Sequence, residues 1–147
     1  MSALLPAPTI PYQGHKACPP FLAFLALGTI IPGLIHSFLP DGGAGSIAGL
    51  DLSAGGPVII GTFAWAGATQ LAYGTLMLLV ALRYRALVPL FFLIILVERS
   101  LIALNTWVLK PAGTGHHPPE AYATLALLPL VAAAFYFSLK PRPGTAS

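Results

Sequence analysis

Glu98 and Arg99 stand side by side in the middle of an apolar run, Ala86 to Leu109, that is long enough to cross a bilayer. On insertion scales, a charge at the centre of such a span costs about 2.5–3.5 kcal/mol unless something in the bundle answers it. A carboxyl at that depth can ligate a polar group or carry a proton, and a guanidinium beside it can pair with a carboxylate. The bland role is cohesion, since buried Glu, Arg, Gln and Asn also fix the register of helices in a bundle. A third role is a charge pair turned to an oligomer interface.

Glu98 and Asn105 are seven residues apart, which is two helical turns, so they share a face. Arg99 points about 100° away, on the face of Thr106. Successive residues on a helix do not confront each other, so each charge is expected to find its partner on a neighbouring helix. Gln70 lies at the middle of the preceding apolar run, with Tyr73 one turn further along. Antiparallel pairing of the second and third runs matches Gln70 in depth to Glu98. Gly61, Ala64, Ala68 and Ala72 offer a seam of small residues for that packing. The candidate ligand- or proton-binding residues are therefore Glu98, Arg99, Gln70, Asn105 and Tyr73.

A second set consists of histidines. His36 falls in the last turn of the first apolar run, after Pro32-Gly33, and His116 and His117 precede Pro118-Pro119. Imidazole and carboxylate suit Zn, Cu or Fe, so His36 with His116 or His117 and Asp41 or Glu120 is the candidate metal set. Against it, adjacent loop histidines also read as solvated, and Glu120 as a first-turn acid favourable to the helix dipole. No Ser/His/Asp or Cys/His arrangement is present, and no residue is assigned a catalytic role.

These residues are positioned by four apolar runs, 20–39, 57–82, 86–109 and 120–139, separated by Gly/Pro-rich or basic punctuation. Each is close to the ~20 residues that span ~30 Å of hydrocarbon. Spans in lipid must satisfy their own backbone, which makes all four helices. The predicted fold is an all-α, four-helix transmembrane bundle over residues 19–140, with irregular tails at 1–18 and 141–147. The tight turn Arg83-Tyr84-Arg85 predicts a hairpin of the second and third spans. Composition agrees: the 147 residues are 56% hydrophobic and 7% charged, where a soluble domain carries about 25% charged residues.

Lys16, Arg83, Arg85, Lys140 and Arg142 fall on one side of alternating spans, and Lys110 alone falls opposite with Asp41, Asp51 and Glu120. That bias places both termini in the cytoplasm. The net charge of +3 is no nucleic-acid footprint, because the basic residues lie at span ends. The single cysteine, Cys18, excludes an internal disulfide, and the Pro-rich start has no apolar run of signal-peptide length. The outer stretch from Asp41 to Gly56 is Gly-rich but lacks the spacing of a phosphate-binding loop, and it is expected to be a flexible connector.

The stretch Phe63-Ala-Trp-Ala-Gly-Ala-Thr-Gln-Leu-Ala-Tyr-Gly-Thr-Leu76, the turn from Leu82 to Pro89 and the later Glu98-Arg99 resemble small bacterial membrane proteins of the DoxX-like kind. The resemblance covers most of spans two and three. It implies a compact four-helix bundle in the inner membrane, with links in some members to quinone, thiol or sulfur-oxidising redox systems. Three functions follow from the sequence. The first is an accessory, non-catalytic membrane protein whose polar cluster stabilises the bundle and holds a small or lipophilic ligand. The others are a quinone-linked redox subunit and a proton-coupled carrier working through Glu98. The residues specify no cofactor; the redox reading would take quinone, ahead of a metal. The partners are the lipid bilayer and either a second copy of the chain or a membrane protein.

Overall fold

The computed structural model describes residues 8–111 and 117–141. Four helices carry the fold: α1 (Cys18–Phe38), α2 (Gly56–Leu82), α3 (Val88–Leu104) and α4 (Pro119–Leu139). A single 3₁₀ turn, Arg85–Leu87, leads into α3, and a π turn, Asn105–Leu109, prolongs it. No strand occurs among the described residues. All four helices are long and apolar enough to cross a membrane, the third counted from Arg85 to Leu109. Each has a proline in its first turn, where the missing N–H has no helical partner to lose. Phe24, Ile31, Trp65, Leu90, Val97 and Leu130 are exposed on the outer surface, which suits hydrocarbon rather than water.

The helices associate as two pairs, α1 against α2 and α3 against α4, while α2 touches α3 over little more than their connecting turn. The expected hairpin of the second and third spans is therefore not the main packing unit. Glycine explains the choice. An added Cβ at Gly67 would lie 2.7 Å from Ser37 Oγ and 2.9 Å from the Gly33 carbonyl. At Gly74 it would lie 2.6 Å from Ile30 Cγ1, and at Gly33 3.1 Å from the Leu71 backbone nitrogen. The two backbones thus approach through glycine, as lipid-embedded helices do when dispersion must replace a hydrophobic driving force. The seam predicted along Gly61, Ala64, Ala68 and Ala72 is not this interface. Gly61, Ala68 and Ala72 are exposed, and a Cβ on Gly61 meets open space.

The two pairs meet in a core built from the first half of α1 (Leu22, Leu25, Ala26), the end of α2 (Met77, Val80, Ala81), the first half of α3 (Val88, Phe91, Phe92, Ile95) and the second half of α4 (Val131, Ala134). All of these lie toward the end of the bundle that carries residues 8–17 and 140–141. The N-terminal segment seals that end. The His15 amide donates to the Phe137 carbonyl, and the Cys18 thiol to the Ala134 carbonyl.

The opposite end is capped by the loop between α1 and α2, which is wound rather than loose. The Asp41 carboxylate accepts hydrogen bonds from the amides of Gly43 (2.8 Å), Ser46 (2.7 Å) and Gly45 (3.2 Å), and from the Ser46 hydroxyl. Gly42, at φ +62°, sits over Phe63, where an added Cβ would lie 3.0 Å from the Phe63 Cβ. His36 Nδ1 lies 2.7 Å from the Gly42 carbonyl; because that oxygen only accepts, the proton is on Nδ1. Gly42, Gly43, Ala44 and Ala48 are buried.

Gly67→Ala is expected to lower stability by about 1–3 kcal/mol through overpacking, read as a drop in Tm in detergent. Gly61→Ala is expected to leave Tm unchanged or raise it, since alanine is the better helix former and nothing obstructs its methyl. Asp41 supplies a pH test. The amides that bind its carboxylate hold it below the ordinary aspartate range. The bracing is therefore fully present above pH ~3.9 and is lost as pH falls through the lower, folded value. Amide exchange in residues 43–46 is expected to stay slow from pH 7 to 5 after correction for the intrinsic rate, and Asp41→Asn to accelerate it at pH 7.

Candidate functional site

A cavity of about 710 Å³ lies between the two helix pairs, above the core and below the Asp41 loop. Its walls come from all four helices, and Gly43, Ile47 and Ala48 of the loop roof it. On α4 it runs from Pro119 to Val131, about 18 Å of helix. It is a tall apolar slot with a polar band on its inner wall.

Four of the five predicted residues form that band: Gln70 and Tyr73 from α2, Glu98 and Arg99 from α3. They divide into two kinds. Arg99 is anchored: its Nη1 donates to Glu120 Oε1 at 3.1 Å and to Thr124 Oγ1 at 3.4 Å, and its Nε lies 3.7 Å from Glu98 Oε2. Gln70 Oε1, Tyr73 OH and Glu98 Oε2 are buried and have no hydrogen-bond partner. Thr29, on the facing wall, turns its hydroxyl back to the Leu25 carbonyl of its own helix.

Asn105 is not in this group. It shares the azimuth of Glu98 but lies two turns, about 10 Å, further along the helix. There it is exposed and donates Nδ2 to the Leu101 carbonyl at 2.9 Å. Sequence reasoning placed Glu120 with the histidines rather than with Arg99, and it missed Thr124. Glu120 was readable as a partner because it is one of only four acids and opens the helix next in sequence to α3. Thr124 carried no signal beyond its place one turn later.

The histidines separate. His36 lines the upper part of the slot, edge-on to Phe63 at 5.0 Å between ring centroids. His117 instead packs on Trp107 at 4.2 Å, beside Tyr122. His116 lies outside the described residues. Among the described residues, no three of His, Cys, Asp and Glu come together as a metal-binding group.

The slot has a side opening between α1 and α4, which touch each other little. Phe24 and Gly28 on α1 and Ala123 and Ala126 on α4 border it and are exposed. A Cβ on Gly28 would meet nothing within 4 Å. This part of the slot therefore faces the apolar exterior of the bundle, while Ile47, Pro119 and Glu120, which also line it, are exposed at the loop end. Its volume lies within the 300–1,000 Å³ of small-molecule sites, and apolar walls with a few convergent polar atoms are their usual chemistry. Gln70 Oε1 and Glu98 Oε2 can accept hydrogen bonds, and Tyr73 OH can donate or accept. Compared with known protein families, curated proteins and solved structures, the chain matches none.

Proposed function

We propose that this chain is a small multi-pass membrane protein of accessory, non-catalytic type that binds a lipophilic molecule carrying a hydrogen-bonding head. The observation that carries the reading is the set of three buried atoms without a hydrogen bond, Gln70 Oε1, Tyr73 OH and Glu98 Oε2 (the last 3.7 Å from Arg99 Nε), on the wall of an apolar slot. Leaving a buried polar atom unsatisfied costs about 1–3 kcal/mol. A cluster that served only to cement the bundle would pair these atoms with one another, as Arg99 is paired with Glu120 and Thr124. The apolar slot accepts the ligand's tail, the polar band its head, and the α1–α4 opening admits it from the hydrocarbon.

The quinone-linked reading has one observation in its favour. Tyr73 OH and Gln70 can donate to a carbonyl head, and Glu98 Oε2 and Gln70 Oε1 can accept from a hydroxyl head, so one site suits both forms of a quinone. The carrier reading is served less well, since the core closes the slot toward the termini. We also propose an orientation with both termini in the cytoplasm of a bacterial inner membrane. It is supported by Lys16, Arg83, Arg85 and Lys140 at one end against Asp41, Asp51 and Lys110 at the other. The DoxX-like resemblance of spans two and three agrees with this assignment.

Native mass spectrometry of the protein taken gently from its host membrane is the direct test, and a defined lipophilic adduct is the expected result. Gln70→Leu with Tyr73→Phe should weaken adduct retention about tenfold or more, the scale of one or two lost hydrogen bonds, while Tm of the empty protein holds or rises. Loss of Tm in that variant with the adduct retained would return the cluster to a purely cohesive role. Gly28→Phe should block the opening and slow uptake of a short-chain quinone probe without lowering Tm.

A further inference from the structure

A second cavity, of about 550 Å³, lies at the end of the bundle that carries the termini, remote from the slot. Three cations line it: Lys16 from the segment before α1, and Arg83 and Arg85 from the turn between α2 and α3. These are distant in sequence, and the fold brings them to one concavity. The chain's four acids all lie elsewhere: Asp41 and Asp51 in the capping loop, Glu98 and Glu120 at the slot. Among the described residues no ion pair reaches Lys16, Arg83 or Arg85; the ion pairs found are those of Arg99.

Both guanidinium groups are held in place by a single nitrogen. Arg85 Nε donates to the Ala81 carbonyl at 3.3 Å, and Arg83 Nε to Tyr84 OH at 3.4 Å, with the Arg83 group 5.7 Å from the Tyr84 ring centroid. Their terminal nitrogens are the part of the guanidinium that grips phosphate oxygens. A bias of positive charge toward one side of a membrane requires only that cations lie at this end. It does not require three of them around one hollow, where they repel each other until an anion arrives. Beside the cations the same cavity is lined by Ile10 and Leu82, which are 70% and 62% exposed. Cations against bare apolar side chains, at the end of bilayer-length helices, match a molecule with a phosphate head and a hydrocarbon tail.

We infer that this cavity binds the phosphate headgroup of an anionic phospholipid, with Arg83, Arg85 and Lys16 on the phosphate and the acyl chain along Ile10 and Leu82. The inference rests on the reading of the helices as bilayer spans but not on the ligand of the slot. Its test uses the full chain in a neutral detergent, titrated with phosphatidylglycerol, with phosphatidylcholine and with inorganic phosphate, and followed by native mass spectrometry. One phosphatidylglycerol per chain should be retained in preference to phosphatidylcholine. Arg85→Gln should weaken retention about fivefold, the worth of one cation near a lipid surface. Lys140→Gln removes the same charge from the same end but outside the cavity, and should leave retention unchanged. The paired Arg83→Lys and Arg85→Lys variant keeps the charge and should retain most of the binding, which guards against loss of fold in the glutamine variant. Equal retention of the two lipids, or an equal loss in Lys140→Gln and Arg85→Gln, would overturn the site. Inorganic phosphate binding where phosphatidylglycerol does not would also overturn it, by identifying a soluble anion as the occupant.

Discussion

The close approach of α1 to α2 through Gly33, Gly67 and Gly74 is the constraint on which the remaining architecture depends. Between helices of this length and apolarity, placed in hydrocarbon, there would be no water to expel, and the pair that can bring its backbones nearest would gain the most dispersion energy. α3 and α4 contain no glycine and cannot match that approach. They associate instead with the Arg99–Glu120 and Arg99–Thr124 bonds between them. With each helix committed to one partner, the two pairs meet only where Phe91, Phe92, Leu22 and Val131 fill the space between them. Toward the other end no such filling occurs, and the separation of the pairs becomes the slot.

Division of labour within the polar cluster follows from the same geometry. Arg99 reaches across its own pair to α4, so its bonds are internal to a unit and are satisfied. Gln70 and Tyr73 belong to one pair and Glu98 to the other, and the slot lies between them. On that shared band Gln70 Oε1, Tyr73 OH and Glu98 Oε2 are buried and make no hydrogen bond. A bonded set and an unbonded set therefore share adjacent residues of one helix. Glu98 and Arg99, joined at most by a 3.7 Å contact, face two different tasks because successive helical residues point about 100° apart.

Much of this was legible in the residues. Run length and charge deficit gave four helices, and the prolines at 19, 57, 89 and 119 mark where each begins. Four residues of the polar band could be named because polar side chains inside apolar runs are conspicuous. What was not legible was pairing. The short Arg83-Tyr84-Arg85 turn argued for α2 against α3, yet connector length limits only how far apart two helix ends are. Which faces meet is decided by close approach along their whole length. The small-residue seam was sought at four-residue spacing, whereas Gly67 and Gly74 are seven apart, a spacing that keeps them on one face over two turns. The loop from Asp41 was read as slack because of its glycines. Those glycines instead bring the amides of Gly43, Gly45 and Ser46 within reach of one carboxylate, an Asx-type turn opened by Asp41.

The two ends of the bundle then differ in kind. The end with the termini is filled by the core, sealed by residues 12–18 and carries Lys16, Arg83 and Arg85, which no acid among the described residues pairs, so its hollow lies on the outside, among groups suited to an interface. The other end is roofed by a loop held together by one carboxylate, and its hollow lies within the bundle and opens sideways. A side opening changes what affinity the slot needs. A ligand dissolved in the bilayer is already concentrated and desolvated, so its tail gains little on leaving lipid for an apolar wall. For the ligand proposed above, the head would then have to supply the selectivity, and only groups that answer Gln70, Tyr73 and Glu98 would gain by entering. In water, apolar burial would dominate and the three polar atoms would be a minor correction; against hydrocarbon they are the main source of discrimination between one lipid-soluble molecule and another.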